Sequence, residues 1–192
     1  MIVRRPAAFA GLAVAAAALA WLLFVALPRR HPPEQPVGVP SAAHPTGSDA
    51  VSRKIKAQLF YVAGDGGALT SVEQDVPFAE EPVDQAREIV RAQLAPPAPP
   101  LVSAVPRGTN LRALFLTPRG EAYVDLSREV VTAHSGGSVA ELLTIYAIVH
   151  ALTVNLPAVT SVQLLVEGKE VETLAGHVNL ERPLVQNLDW IQ

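Results

Sequence analysis

The stretch GGSVAELLTIYAIVHALTVNLP, from Gly136 to Pro157, decides the architecture of this chain. Gly136-Gly137 breaks what precedes it, and Ser138-Val139-Ala140-Glu141 has the spacing of a capping box. In that device the serine side chain accepts from a free backbone N–H while the glutamate reaches back. Leu142, Tyr146, Val149, Thr153 and Leu156 then recur at helical spacing, and Leu143, Ile145, Ile148 and Leu152 widen the apolar face. A helix that is apolar over more than half its girth belongs at the centre of a fold. Pro157 closes it.

The neighbouring segments supply the surfaces that such a helix buries. On its N-terminal side, Leu111–Leu116 and Glu121–Leu126 read as strands joined by Thr117-Pro118-Arg119-Gly120. Proline second and glycine fourth is favourable β-turn chemistry, so a hairpin is expected. On its C-terminal side, Ser161–Val166 reads as a strand, Glu167-Gly168-Lys169 as a turn and Glu170–Thr173 as a short return strand. Further upstream, Lys54–Val62 is rich in aromatic and β-branched residues and reads as a strand ended by Gly64-Asp65-Gly66-Gly67. Leu69–Val76 is a short return strand. Pro82 suits a first helical turn, with Glu80, Glu81 and Asp84 near the positive end of the helix dipole. Val83, Ala86, Ile89, Val90 and Leu94 carry the helical period, and Pro96-Pro97 stops it. Ala95–Gly108 is a proline-rich loop. The order β-α-β-β-α-β predicts an α+β fold, with two helices packed on one face of a small, mostly antiparallel sheet.

The remaining 52 residues are of different material. From Ala7 to Leu27 no residue is charged, and Arg4-Arg5 and Arg29-Arg30 flank the run. A helix of that length spans about 30 Å, one hydrocarbon core. Ala18-Leu19-Ala20 fits a signal-peptide cleavage pattern, but Trp21–Val25 continues the apolar run past it, and signal-peptide cores are shorter. The expectation is therefore a short tail at 1–6 and an uncleaved signal anchor at 7–27 in the lipid bilayer. Pro28, Pro32, Pro33, Pro36, Pro40 and Pro45 mark 28–52 as a proline-rich stalk, followed by a folded domain at 53–192. The short N-terminal tail favours a single-pass topology in the cytoplasmic membrane, with the domain on the outer side.

Composition narrows the function. The 192 residues hold 15 Lys+Arg and 18 Asp+Glu, and 49% of them are hydrophobic. Setting aside the four arginines around the anchor leaves 11 basic residues against 18 acidic ones, a poor match to nucleic acid or anionic lipid surfaces. No cysteine is present, which excludes disulfides, thiolate metal sites and a lipid-modified cysteine. No His-x-x-x-His pair, phosphate loop or G-x-S-x-G elbow occurs, so no cofactor, metal or catalytic residue is expected. The polar positions that stand out are Asp125 and Ser127 at a strand end, Glu141, Asn155 and His177. Asp125 and Ser127 read as turn shapers, Glu141 as a cap, His177 as a structural hydrogen-bond partner, and His150 as a rim or packing residue.

Several stretches together resemble the GerMN domain of sporulation and germination proteins. They are Pro106-Arg-Gly-Thr109, Ala122–Ser127, Gly136-Gly-Ser138 with Glu141, and Thr144–Val149. Asn155-Leu-Pro157 and Val162 through Gly168-Lys169 to Leu174-Ala-Gly-His177 complete the set. The resemblance spans Ile55 to Pro183. It implies an extracytoplasmic, non-enzymatic domain tethered by a lipid or a membrane helix, with a fold similar to ring-building motifs. In spore formers such domains are linked to assembly of a channel between cell compartments. In actinobacteria a relative sits in a lipoprotein that works with a signalling kinase. This chain departs from those patterns in having one domain and no lipid-attachment cysteine. The expected partners are envelope proteins or further copies of the chain itself, and no nucleic acid. The alternative is an accessory sensor domain that binds a small envelope ligand such as a peptidoglycan fragment, in a groove near Asp125, Ser127 and His177.

Overall fold

A computed structural model describes residues 53–192. The expected tail, membrane anchor and stalk, residues 1–52, lie outside the described residues. The fold is α+β. Strands β1 (Lys54–Val62) and β2 (Leu69–Pro77) form an antiparallel ribbon, and helix α1 (Pro82–Leu94) follows. Strands β3 (Leu111–Leu116) and β4 (Glu121–Leu126) form the hairpin, and the one-turn helix α2 (Glu129–Thr132) leads to the long helix α3 (Ser138–Asn155). Strands β5 (Ser161–Val166) and β6 (Lys169–Glu170) complete a four-stranded sheet in the order β3-β4-β5-β6.

The single sheet expected from the element order is therefore two sheets. In the larger one the central pair, β4 and β5, is parallel. The reason is the intervening helix: a strand that returns by a helical crossover lies parallel to its predecessor. The return strand after the 167–168 turn is only two residues long, shorter than the 170–173 segment suggested.

Helix α3 is central, as its breadth of apolar residues requires. Leu143, Ile145, Ile148, Val149 and Leu152 are buried, and so is His150. Its length and composition would suit a membrane span, but here it packs inside the domain against β1, α1 and β5. Helix α1 touches β1, β2, β3 and α3, so the two long helices join the ribbon to the larger sheet.

The separation of the sheets has a local cause. One edge of β1 pairs with β2. On the other, the Gln93 side chain accepts from Phe60 N at 2.8 Å and donates to Phe60 O at 2.7 Å. The Asn155 side chain treats Gln58 in the same way, at 2.8 Å for both bonds. Val62 N then donates to Val102 O at 2.9 Å. A primary amide offers one acceptor and two donors, the same pattern as a passing strand. Two helices thus close the edge of β1 with side chains.

The hairpin turn forms as expected, with Gly120 N donating to Thr117 O at 3.0 Å. Gly120 has φ +85°, and an added Cβ would collide with the Ala158 carbonyl oxygen.

Removing Gln93 strands the buried donor and acceptor of Phe60, while removing Asn155 strands those of the half-buried Gln58. Gln93→Leu should lose about 2–3 kcal/mol of stability and Asn155→Leu about 1 kcal/mol, since an unsatisfied buried polar group costs about 1–3 kcal/mol and a partly solvated one less. Urea denaturation of the full-length chain checks this. A loss below about 0.5 kcal/mol would show that the edge does not need them.

Candidate functional site

Glu141 sits at the fourth position of α3, with its side chain fully buried. Its role differs from the expected cap. The residue before α3, Gly137, has φ +89° and no side chain caps the helix start. The Glu141 carboxylate instead crosses to the loop Thr173–His177. Oε1 accepts from Leu174 N at 2.8 Å and Ala175 N at 2.9 Å. Oε2 accepts from His177 N at 2.9 Å and from His177 Nδ1 at 3.1 Å. Gly176, at φ +94°, lets these N–H groups converge on the carboxylate. Every N–H bond to this carboxylate is charge-assisted, and a loop that offers three outcompetes a helix start that offers one.

Burial pushes the Glu141 carboxyl up. The backbone N–H groups of Ala175, His177 and Leu174 and the His177 ring outweigh that effect and hold it below the ordinary glutamate range. The His177 ring is half-exposed. With Nδ1 assigned as the donor to Glu141, Nε2 carries the free lone pair.

The other expected positions lie elsewhere and serve as fasteners. Asp125 Oδ1 accepts from Gly168 N at 2.7 Å, and its Oδ2 lies 3.3 Å from Arg112 Nη1. Glu167 and Gly168 both have positive φ, the signature of a two-residue type I′ turn, so Asp125 secures the β5–β6 turn from the next strand. Ser127 Oγ accepts from Asn110 N at 2.9 Å, which prolongs the β3–β4 pairing. Both were expected to bind their own turn; both bind a distant one instead. Asn155 closes the β1 edge. The structure brings Glu141 and His177 together and leaves Asp125, Ser127 and Asn155 apart from them.

His150 is fully buried, edge-on to Phe60 with ring centroids 5.3 Å apart. Its Nε2 lies 3.4 Å from Asn187 N, and Nδ1 has no partner among the described residues. Burial holds its imidazole below the ordinary value, against the opposing pull of Asn187. It is a core residue and not one of the rim.

Two hollows stand out, and none of Asp125, Ser127 and His177 lines either. The larger, about 810 Å³, is walled by the end of α1 and the proline-rich loop, with Arg91 and Arg107 on it. The second, about 490 Å³, adjoins it and reaches the start of α3. There His134 Nδ1 accepts from Gly136 N at 2.9 Å, while Nε2 lies 3.2 Å from Thr144 Oγ1. Thr144 Oγ1 in turn donates to Ala104 O at 2.6 Å. Sequence reasoning missed Arg91, Arg107, His134 and Gln93. The signal for the hollow was present in the prolines between 96 and 106, which stiffen a loop too apolar to be fully solvated. Among the described residues no three His, Asp or Glu side chains cluster as metal ligands would.

The fold and these fasteners define a small α+β module whose polar side chains lock its turns. The chain belongs to the sporulation and spore germination family, which matches residues 58–172. The fold is similar to that of a protein described as a lipoprotein from Clostridium perfringens, at TM-score 0.51 and 18% identity. That match covers 73% of this chain and 92% of the other. It is also similar to the tandem GerMN domains of the sporulation protein GerM from Bacillus subtilis, at TM-score 0.54 and 14% identity. There the match covers 69% of this chain and 46% of the tandem chain, so this chain spans about half of that protein's length. No curated protein sequence matches the chain.

Two of the groups whose pKa is lowered, His150 and Glu141, are buried, and they predict a two-stage acid response. A group whose folded pKa is lowered leaves the unfolded state binding more protons, so stability falls as pH falls. The urea midpoint should decline first below about pH 6.5, where His150 must charge. It should decline again below about pH 4.5, as Glu141 is protonated. His150→Phe should remove the first decline. Glu141→Gln should shrink the second, to which Asp65, Asp75 and Glu129 also contribute, and cost about 2–3 kcal/mol at neutral pH. Curves that stay parallel to the parent across both ranges would contradict these assignments.

Proposed function

We propose that this protein is a membrane-tethered, non-enzymatic interaction module on the outer side of the bacterial cytoplasmic membrane. Residues 7–27 hold it in the bilayer and 28–52 carry it clear of the surface. Its partners are envelope proteins or further copies of the chain. The observation that carries the reading is the fate of Glu141. The one fully buried carboxylate of the described core has four donors on it and holds a loop in place. Asp125, Ser127 and Asn155 are engaged in the same manner. A module built this way presents a fixed surface to a partner, and membership of a sporulation and germination family fits an assembly role. The uncharged run bounded by arginines and the proline-rich segment after it support the tether. A second reading, a sensor for a small envelope ligand such as a peptidoglycan fragment, is favoured by the 810 Å³ hollow, which is within the range of ligand pockets.

Crosslinking in native membranes followed by identification of the joined protein tests the first reading. A discrete crosslinked species is expected, and light scattering of the full-length chain in detergent then separates self-association from other partners. Protease added to intact spheroplasts should cut the 28–52 segment; full protection would overturn the outward orientation.

A further inference from the structure

The two hollows share Ser103, Val105, Pro106 and Arg107, so they form one trough. Its lining has a composition unlike the rest of the molecule. Residues 53–192 hold 16 Asp+Glu and 11 Lys+Arg, yet neither hollow is lined by an acidic residue, and Arg91 and Arg107 both face it. Arg91 is paired with Glu88 one turn back on α1, at 2.6 Å. Arg107 is exposed and makes no ion pair among the described residues. It lies between Pro106 and Gly108, in a turn closed by Thr109 N donating to Pro106 O at 3.3 Å. A local basic surface on an acidic body selects anionic ligands by repelling them everywhere else.

The walls add a second selection. Pro96, Pro97, Pro99, Pro100 and Pro106 line the larger hollow. A proline has a carbonyl acceptor and no N–H; the Pro106 carbonyl is taken by Thr109 N and Oγ1, and the other four leave the rim richer in acceptors than in donors. Val102, 58% exposed, and the half-buried Leu94, Leu101 and Leu111 give it an apolar floor. A compact anion such as phosphate has neither backbone N–H groups nor apolar side chains. An extended peptide with acidic residues has all three, and a proline-stiffened wall loses little entropy on receiving it.

We infer that the trough between the end of α1 and the start of α3 binds an extended, acidic, partly apolar peptide segment of a partner protein, with Arg91 and Arg107 receiving its carboxylates. The inference rests on the interaction-module reading and names the surface and the chemistry of its partner.

The test is selection of displayed random octapeptides on the full-length chain in detergent, then fluorescence anisotropy with one labelled consensus peptide. Net-negative sequences with apolar residues are expected. The consensus Kd should rise about tenfold in an Arg91→Glu, Arg107→Glu double variant and also with added salt. The single Arg107→Glu chain serves if the double variant melts early. A neutral or basic consensus, an affinity unchanged by charge reversal, or no enrichment at all overturns the proposal. Photo-crosslinking in native membranes, from Val102 in the trough and from Val185 outside it, separates this proposal from the broader reading. Protein crosslinks from Val102 that vanish on charge reversal support it. Crosslinks from Val185 alone, or from Val102 to lipid, overturn the trough and leave the module reading standing. Crosslinks from neither position overturn both.

Discussion

Strand β1 has one strand for a neighbour and two helices in place of the other. Gln93 and Asn155 supply the donors and acceptors that a further strand would have brought to Phe60 and Gln58. The rest of the arrangement follows from that substitution. Because α1 and α3 each end in a side chain bonded to β1, the helices are set in translation along the strand as well as pressed against it. Apolar packing alone would fix the distance between layers and leave sliding cheap, since the hydrophobic effect has no direction. The amide pairs add the direction. They leave the ribbon and the four-stranded sheet joined through the two helices and through the C-terminal segment, which bridges to β5 at Leu184 and to β2 at Ile191.

Most of the elements were legible in the sequence, and the long-range partnerships were not. The apolar period marked α3 and α1, alternation and turn residues marked the strands, and Pro118-Gly120 marked the hairpin. The parallel pairing of β4 and β5 follows from the helix between them. What periodicity cannot convey is which buried polar group meets which. Ser138 and Glu141 have capping-box spacing, yet Glu141 turns to a loop more than thirty residues away, because three N–H groups there outweigh one at the helix start. Asp125 and Ser127 stand at a strand end where local turns are the ordinary partners, yet each fastens a distant segment. Gln93 shows the limit most plainly: on a helix drawn from its sequence it is one polar residue among several, and its importance comes from the strand opposite.

The same contrast applies to the sites. His177 and Glu141 were singled out separately, and the fold makes them a pair. An imidazole oriented by a buried carboxylate is half of a familiar hydrolytic arrangement, but here the carboxylate also holds three backbone N–H groups, so its first task is to shape the loop. The hollow along 91–111 was hidden for a different reason. Its walls are a proline-rich loop, and a loop's composition predicts stiffness without revealing concavity.

The composition of helix α3 also decides which medium suits it. An 18-residue apolar segment of this kind is long enough for lipid as well as for a protein core. Intrinsic hydrophobicity does not separate them, since both remove the same side chains from water. Glu141 and His150 do. Each costs more in hydrocarbon than in a core that supplies hydrogen-bond donors or an edge-on aromatic ring. The titratable residues of the segment therefore favour the fold that the rest of the chain completes over hydrocarbon.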